Sequence, residues 1–500
     1  MKHRLSAGCR RLFLFGLLSL AVCALVNPGN FGILDTTRRL QVARWIRLGE
    51  PPVRPADAGF GITGKNGERH AWYGIGQSLV LVPFDAVVSA TVVPRLGRYR
   101  LDSVKQQQIV ELLIAFLMQS FITACTLALA YEVLVSFQFP NGVSMAGALA
   151  LLFGTQNLQY VQRAAENNLL LLLALGALYA VRRWQNGRGA RWAAIAGGAC
   201  GFAILVRLPS LLETAVLLLF ALSLAGNRKQ LLAAYLPPVA AALVFDRWYH
   251  WHRFGELFST YMGIFGRQFR PAGAPTTFPF SYPFWKGFWG TLFSPDKSVF
   301  LFDPLLVVLL LVAAWKWRSI RSEVRRAILW LTVLLLGYTA FYASYADFGG
   351  DVAWGHRFVT LPVQLLCLFA VPLLLTFSGA LPRLLRRTAW AAVCAALVLQ
   401  AASTTLAPNL EVIQRDRGFG HGVIVNRAVN LVEIARNREN GSRFAGVPAE
   451  WRSLYYFPFQ LRFRFGQLAA WAIGLWMALL AALPLLVFAT LRSARPAAGR

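Results

Sequence analysis

The chain has 500 residues, room for about three soluble domains at ~150 residues each. However, 57% of them are hydrophobic and only 14% charged, against about 25% charged in ordinary soluble domains. With a mean hydropathy of +0.50, the apolar surface is more than water tolerates, so a soluble protein is excluded and an all-α, polytopic membrane helical bundle is predicted. Lys and Arg number 50 against 22 Asp and Glu, a formal charge of +28. Most of that excess lies at the ends of apolar runs, so it is read as an orientation signal and as ligands for anionic lipid or phosphate, with no nucleic-acid partner.

The first apolar run, Arg11 to Asn27, follows Lys2, Arg4, Arg10 and Arg11. No small-residue cleavage site is clear, so it is read as an uncleaved anchor. Leu5-Ser6-Ala7-Gly8-Cys9 precedes the apolar run instead of following it, which excludes a lipoprotein box. Further spans are predicted at about 109–135, 143–158, 168–183, 193–206, 210–225, 231–249, 298–315, 327–345, 357–377, 389–405 and 466–491. The segment 76–94 is ambiguous because it carries Pro83, Asp85 and Pro94.

Four basic linkers fix the topology: Arg182, Arg183, Arg188 and Arg191; Arg228 and Lys229; Lys316, Arg318, Arg321, Arg325 and Arg326; and Arg383, Arg386 and Arg387. Positive-inside bias places all four in the cytoplasm with both termini. Parity then requires 76–94 to lie along, or dip into, the outer face, giving about 12 crossings; the alternative is a thirteenth crossing with a displaced boundary elsewhere. The external pieces are 28–108, 158–167, the turn at Arg207-Leu208-Pro209, 250–297, 346–356 and 406–465. The expected organisation is a transmembrane module over 1–405 with a long first external loop of surface-lying helices at about 28–108. An external loop of unassigned role follows at 406–465, then a last transmembrane helix and cytoplasmic tail at 466–500.

With so few acidic residues, their placement is informative. Asp35 opens the stretch Asp35-Thr36-Thr37-Arg38-Arg39-Leu40 and can cap a helix whose Leu40, Ala43 and Ile46 or Arg47 face the membrane surface. Alternatively, it is a base beside phosphate-gripping guanidiniums, a role that suits arginine because its planar fork stays charged. Glu166, in Glu166-Asn167-Asn168, either caps the following helix or faces Asp35 across an external cavity. Arg207, between two apolar stretches, either snorkels or serves a functional site. Lys297, in Ser294-Pro295-Asp296-Lys297-Ser298, either anchors at the interface or presents a point charge. Asp347 to Arg357 gathers two glycines, Asp347, Asp351, Trp354, His356 and Arg357, either as a turn or as part of a substrate pocket.

His250-Trp251-His252 with Asp246 and Glu256 suggests metal only weakly, because i,i+2 histidines on a helix point apart. No Walker A, HExxH, GxSxG or dinucleotide fingerprint is present. The six cysteines include no CxxC and form no disulfide framework. No metal ligand and no cofactor is assigned, and a divalent metal is kept as an alternative. The spans carry few acids, which suits chemistry at the outer surface better than ion-coupled alternating access.

Four ordered stretches carry a family likeness: Leu34-Asp35-Thr36-Thr37-Arg38; Tyr73-Gly74-Ile75-Gly76-Gln77-Ser78-Leu79 through Pro83; Leu292 to Phe300 through Pro304, with Ser294-Pro295-Asp296-Lys297-Ser298 at its centre; and Trp354-Gly355-His356-Arg357-Phe358. On these the chain resembles the polytopic GT-C glycosyltransferases, in particular bacterial relatives of the protein mannosyltransferases and lipid A aminoarabinose transferases. The resemblance implies a polyprenyl-phosphate-sugar donor, an external active site in the plasma (inner) membrane, and a glycan, lipid or protein acceptor among membrane lipids. It implies Asp35 as the catalytic carboxylate and Glu166 as a second acidic residue. Arg38 is implied to hold the donor phosphate, with Arg39, Arg207, Lys297 and Arg357 as further candidates, and Asp351, Trp354 and His356 line the expected substrate pocket. Two other readings are a polysaccharide polymerase or ligase, which would use the arginines of 406–465, and a lipid or solute transporter.

Overall fold

The computed structural model describes residues 2–494 apart from 58, 100–101, 188, 351, 421 and 464–465. It is an all-α bundle, and the described residues include one two-stranded antiparallel ribbon, pairing Ile62 with His70 and Thr63 with Arg69. Among the described residues, eight helical stretches are long and apolar enough to cross a membrane: Gly8–Val26, Gly76–Leu96, Ser103–Ser136, Arg228–Phe254, Ser322–Ala343, Thr360–Ala380, Arg383–Ser403 and Leu468–Ser493. Asn141–Phe153, Ala190–Val206 and Ser210–Leu224 are shorter apolar helices. The 34-residue Ser103–Ser136 helix is about 50 Å long at 1.5 Å per residue, well beyond the ~30 Å hydrocarbon layer.

Two expected spans are interrupted. The run at 298–315 breaks into Val299–Phe302 and Leu305–Lys316, because Pro304 has no N–H for the helix ladder. At this break Asp303 accepts the Gln156 backbone N–H at 3.0 Å and its side-chain Nε2 at 2.6 Å. The run at 357–377 begins helically only at Thr360 and is interrupted between Cys367 and Ala370. The segment placed along the outer face by parity, 76–94, forms part of one of the eight long apolar helices. Its Asp85 is fully buried against the Leu34–Leu48 helix, accepting Arg44 Nε at 3.1 Å and Arg47 Nη2 at 2.6 Å. The Leu34–Leu48 helix therefore turns its later arginines toward a protein neighbour.

The late segment folds onto the membrane body. Its helices Leu410–Asp416 and Val423–Ala435 lie beside a small core of Leu406, Leu410, Phe444 and Val447. The backbone N–H of Tyr455 bonds to Thr405 O and that of Phe457 to Asn27 O, both at 2.7 Å. Asp296 accepts the first N–H of the Val423–Ala435 helix, from Val423, at 3.0 Å, which ties the segment to the Ser294–Ser298 loop.

Candidate functional site

Asp35 lies in the first turn of the Leu34–Leu48 helix, but the N-cap is Ile33 with no side-chain cap bond. The capping reading is therefore corrected: the carboxylate is directed to other partners. Oδ1 accepts the Tyr73 hydroxyl at 2.7 Å and Oδ2 accepts Arg357 Nη2 at 2.7 Å. The same Arg357 nitrogen reaches Glu166 Oε1 at 3.3 Å, and Glu166 Oε2 accepts Arg39 Nη1 at 2.9 Å. The Arg39 guanidinium lies 4.3 Å from the centre of the Tyr73 ring, closing a loop of five side chains. Asp35 and Arg39 can both reach it because residues four apart share a helix face.

Backbone contacts hold this loop in place. Ala164, in the left-handed region at φ 47°, offers one carbonyl to the Thr36 hydroxyl at 2.9 Å and to Gln77 Nε2 at 3.0 Å. The turn between Asn157–Arg163 and Glu166–Gln185 thereby fastens the Leu34–Leu48 helix and the helix that begins at Gly76. Gly74 and Gly76 lie so close to the chain at Leu205 and Val206 that an added Cβ would fall 2.3 Å from Leu205 O and 2.6 Å from Val206 N. That contact sets Tyr73 beside the Arg207 turn. Asn167 Nδ2 donates to Arg357 O at 3.1 Å, orienting the peptide that carries the bridging guanidinium.

The two carboxylates differ in access. The Asp35 and Arg357 side chains are 19% and 18% exposed, while those of Glu166 and Arg39 are 4% and 3% exposed. Burial works to raise the Asp35 pKa, but Arg357 and then Arg39 outweigh it and hold the carboxyl below its usual range. At Glu166 burial pushes in the same direction, and Arg39, Arg357 and Arg207 together hold it far lower.

The remaining sequence candidates lie around this cluster. The Arg38 guanidinium sits 3.4 Å over the Phe60 ring centre. Of the two arginines expected close to Asp35, Arg39 acts on its charge from nearby but bonds Glu166, and Arg38 covers Phe60; the direct bond to Asp35 comes from Arg357. Arg207 lies 5.8 Å and 5.9 Å from the ring centres of Tyr338 and Tyr342, and among the described residues its Nε and Nη1 have no hydrogen-bond partner.

Lys297, Trp354 and His356 form a neighbouring group. Lys297 Nζ donates to Ala353 O at 3.0 Å. Trp354 meets Phe302 edge-on with ring centres 5.3 Å apart and lies under Arg427 at 4.9 Å. His356 sits between Phe348 and Phe358, with ring centres 6.0 Å and 6.3 Å away. Burial, reinforced by Lys297, pushes its pKa down to about 3, so the imidazole is neutral near pH 7. Asp351, the third pocket candidate, lies outside the described residues.

One participant carried no assigned role in the sequence: Tyr73 is visible there only as the start of a motif stretch. The metal candidates resolve differently: His250 Nε2 pairs with Ser259 Oγ at 2.9 Å, Asp246 with Arg247 at 2.6 Å and Glu256 with Arg267 at 2.6 Å. Among the described residues no group of three or more His, Cys, Asp and Glu side chains is arranged to hold a metal ion.

Neither a family model nor a curated protein sequence matches the chain. Among solved structures, the crystal structure of ArnT from Cupriavidus metallidurans bound to undecaprenyl phosphate is similar to it, with 98% of this chain and 77% of that one covered at 14% identity and a TM-score of 0.39.

Proposed function

We propose that the protein is an integral membrane glycosyltransferase that moves a sugar from a polyprenyl-phosphate donor to an acceptor hydroxyl. The reaction takes place at the external face of the inner membrane, and both termini are cytoplasmic. One observation carries the reading: a single guanidinium, Arg357, is shared between an accessible carboxylate, Asp35, and an enclosed one, Glu166.

The transfer forms a bond from the acceptor oxygen to the anomeric carbon and breaks the bond from that carbon to the phosphate oxygen. Asp35 accepts the hydroxyl proton, and the polyprenyl phosphate leaves. An ionised carboxylate has about four lone-pair sites; Tyr73 and Arg357 occupy two at Asp35, leaving capacity for the acceptor. Glu166 is the positioning partner, since its buried oxygens already hold Arg39 and Arg357. Arg38 and Arg207 form no ion pair among the described residues and supply charge for the departing phosphate. Lys297, Trp354 and His356 bound the sugar side, with the module 1–405 carrying the chemistry and 406–465 covering this edge.

The test is to incubate membranes containing the protein with labelled polyprenyl-phosphate sugars. Label should move covalently to an acceptor, and only when Asp35 is intact. Movement of lipid or solute with the sugar linkage unchanged would establish a transporter. The docking of the late segment through Asp296 supports one alternative, a polymerase or ligase, which would show as many sugars transferred, either one after another or as a preassembled glycan in one step.

A further inference from the structure

Arg163 is a buried cation that the proposed transfer does not use. It ends the Asn157–Arg163 helix, is 3% exposed, and its Nε has no hydrogen-bond partner among the described residues. Among the described residues it forms no ion pair. A guanidinium cannot shed its proton to escape burial, and a charge withdrawn from water without a partner is strongly unfavourable.

Its surroundings make the imbalance sharper. The charged groups that act on it most strongly are Arg357 and Asp35. Arg357 repels it, and Asp35 is already held by Arg357 and Tyr73. The Arg163 backbone is fixed on both sides: Ala164 carries the carbonyl that fastens Thr36 and Gln77, and Gly32 approaches so closely that an added Cβ would lie 3.0 Å from the Arg163 Cα. The preceding Gln162 donates to Thr404 O at 2.7 Å and to Tyr455 O at 3.1 Å, so Arg163 stands where the Asp35 cluster meets the late segment.

We infer that Arg163 is an anion-binding residue of this site, holding a phosphate-type oxyanion that is either the donor lipid's phosphate or an acidic group on the acceptor. An oxyanion there completes the charge balance that the protein leaves open, and the planar fork suits it. This extends the transferase reading and rests on it for the identity of the ligand, but not for the binding itself.

The experiment uses the full-length purified protein, with undecaprenyl phosphate, undecaprenol and inorganic phosphate as probes. Wild type should be thermally stabilised by phosphate more than by chloride at equal ionic strength, and should bind undecaprenyl phosphate better than undecaprenol. If the donor phosphate is the ligand, Arg163→Met weakens undecaprenyl phosphate binding by about 10- to 100-fold, the effect of a charge-assisted hydrogen bond. If an acceptor group is the ligand, undecaprenyl phosphate binding is unchanged, while wild type saturated with that lipid still binds inorganic phosphate and Arg163→Met does not. Should Arg163→Met fail to fold, Arg163→Lys serves, with weakened rather than abolished anion binding.

Equal binding of both anions by wild type and variant, or no phosphate stabilisation of wild type, overturns the inference. Anion binding that depends on Arg163 in a protein that transfers no sugar would overturn the transferase reading alone.

Discussion

Arg357 and Asp35 meet through a 2.7 Å hydrogen bond although 322 residues separate them in the chain. The guanidinium both keeps the carboxylate ionised and fixes where its remaining lone pairs point. Asp35→Asn keeps the shape but cannot take a proton. It should reduce transfer by about 10²–10⁴-fold, the range of a positioned general base, while the protein accumulates in the membrane as wild type does. Labelled-donor assays on equal amounts of protein check this, and full activity would remove Asp35 from the reaction.

The pH dependence follows from the same pair. The folded Asp35 pKa lies below its ordinary value of about 3.9. The ionised form, and the stability linked to it, are therefore present above that ordinary value and are lost as pH falls through the depressed one. Between pH 7 and about 5 this group leaves the rate flat. Tyr73→Phe removes a hydrogen bond to the carboxylate, and Arg357→Met removes the largest favourable charge, so each should move the acid limb upward, Arg357→Met further. A pH–rate profile decides it. An acid limb that stays fixed in both variants would belong to another group.

The sequence revealed the participants better than their partners. Asp35, Glu166 and Arg357 stand out because acids are scarce and each opens or adjoins a helix. Which arginine meets which acid depends on the helix-face angle and the neighbouring surface: Arg38 and Arg39 are adjacent in sequence, yet one covers Phe60 and the other holds Glu166. Tyr73 was invisible as a donor because an aromatic beside glycines reads as packing. The basic–apolar pattern revealed the bundle but not its breaks at Pro304 and Leu368. Asp85, with Pro83 and Pro94, left 76–94 ambiguous in the sequence, whereas Arg44 and Arg47 neutralise Asp85 from 41 and 38 residues away.

Asp85 should accordingly matter for shape. It is fully buried, but Arg44 and Arg47 are 15% and 23% exposed, so water relieves part of their loss. Asp85→Leu is expected to cost about 3 kcal/mol, the low end for breaking a buried pair. It should also lower turnover by letting the Asp35 helix shift. Thermal denaturation and transfer rate measured together test this. An unchanged melting temperature would mean the helix pair is held by its apolar contacts alone.

Glu411 and Arg427 test whether the late segment belongs to the site. Both side chains are nearly inaccessible, at 1% and 2% exposure. Arg427 Nη2 donates to Glu411 Oε2 at 2.8 Å, and Nη1 to Ala402 O and Ser403 O, each at 3.0 Å. Its guanidinium also covers Trp354, so it joins the segment to the proposed sugar side. Glu411→Leu leaves an uncompensated buried cation, and Arg427→Met an uncompensated buried anion. Each should cost about 3–5 kcal/mol, whereas the double variant replaces a charged pair by apolar volume and should recover most of that loss. If Arg427 also steadies Trp354, the double variant regains stability without regaining wild-type KM for the donor. Full recovery of both would reduce the pair to a structural fastening and separate the late segment from substrate recognition.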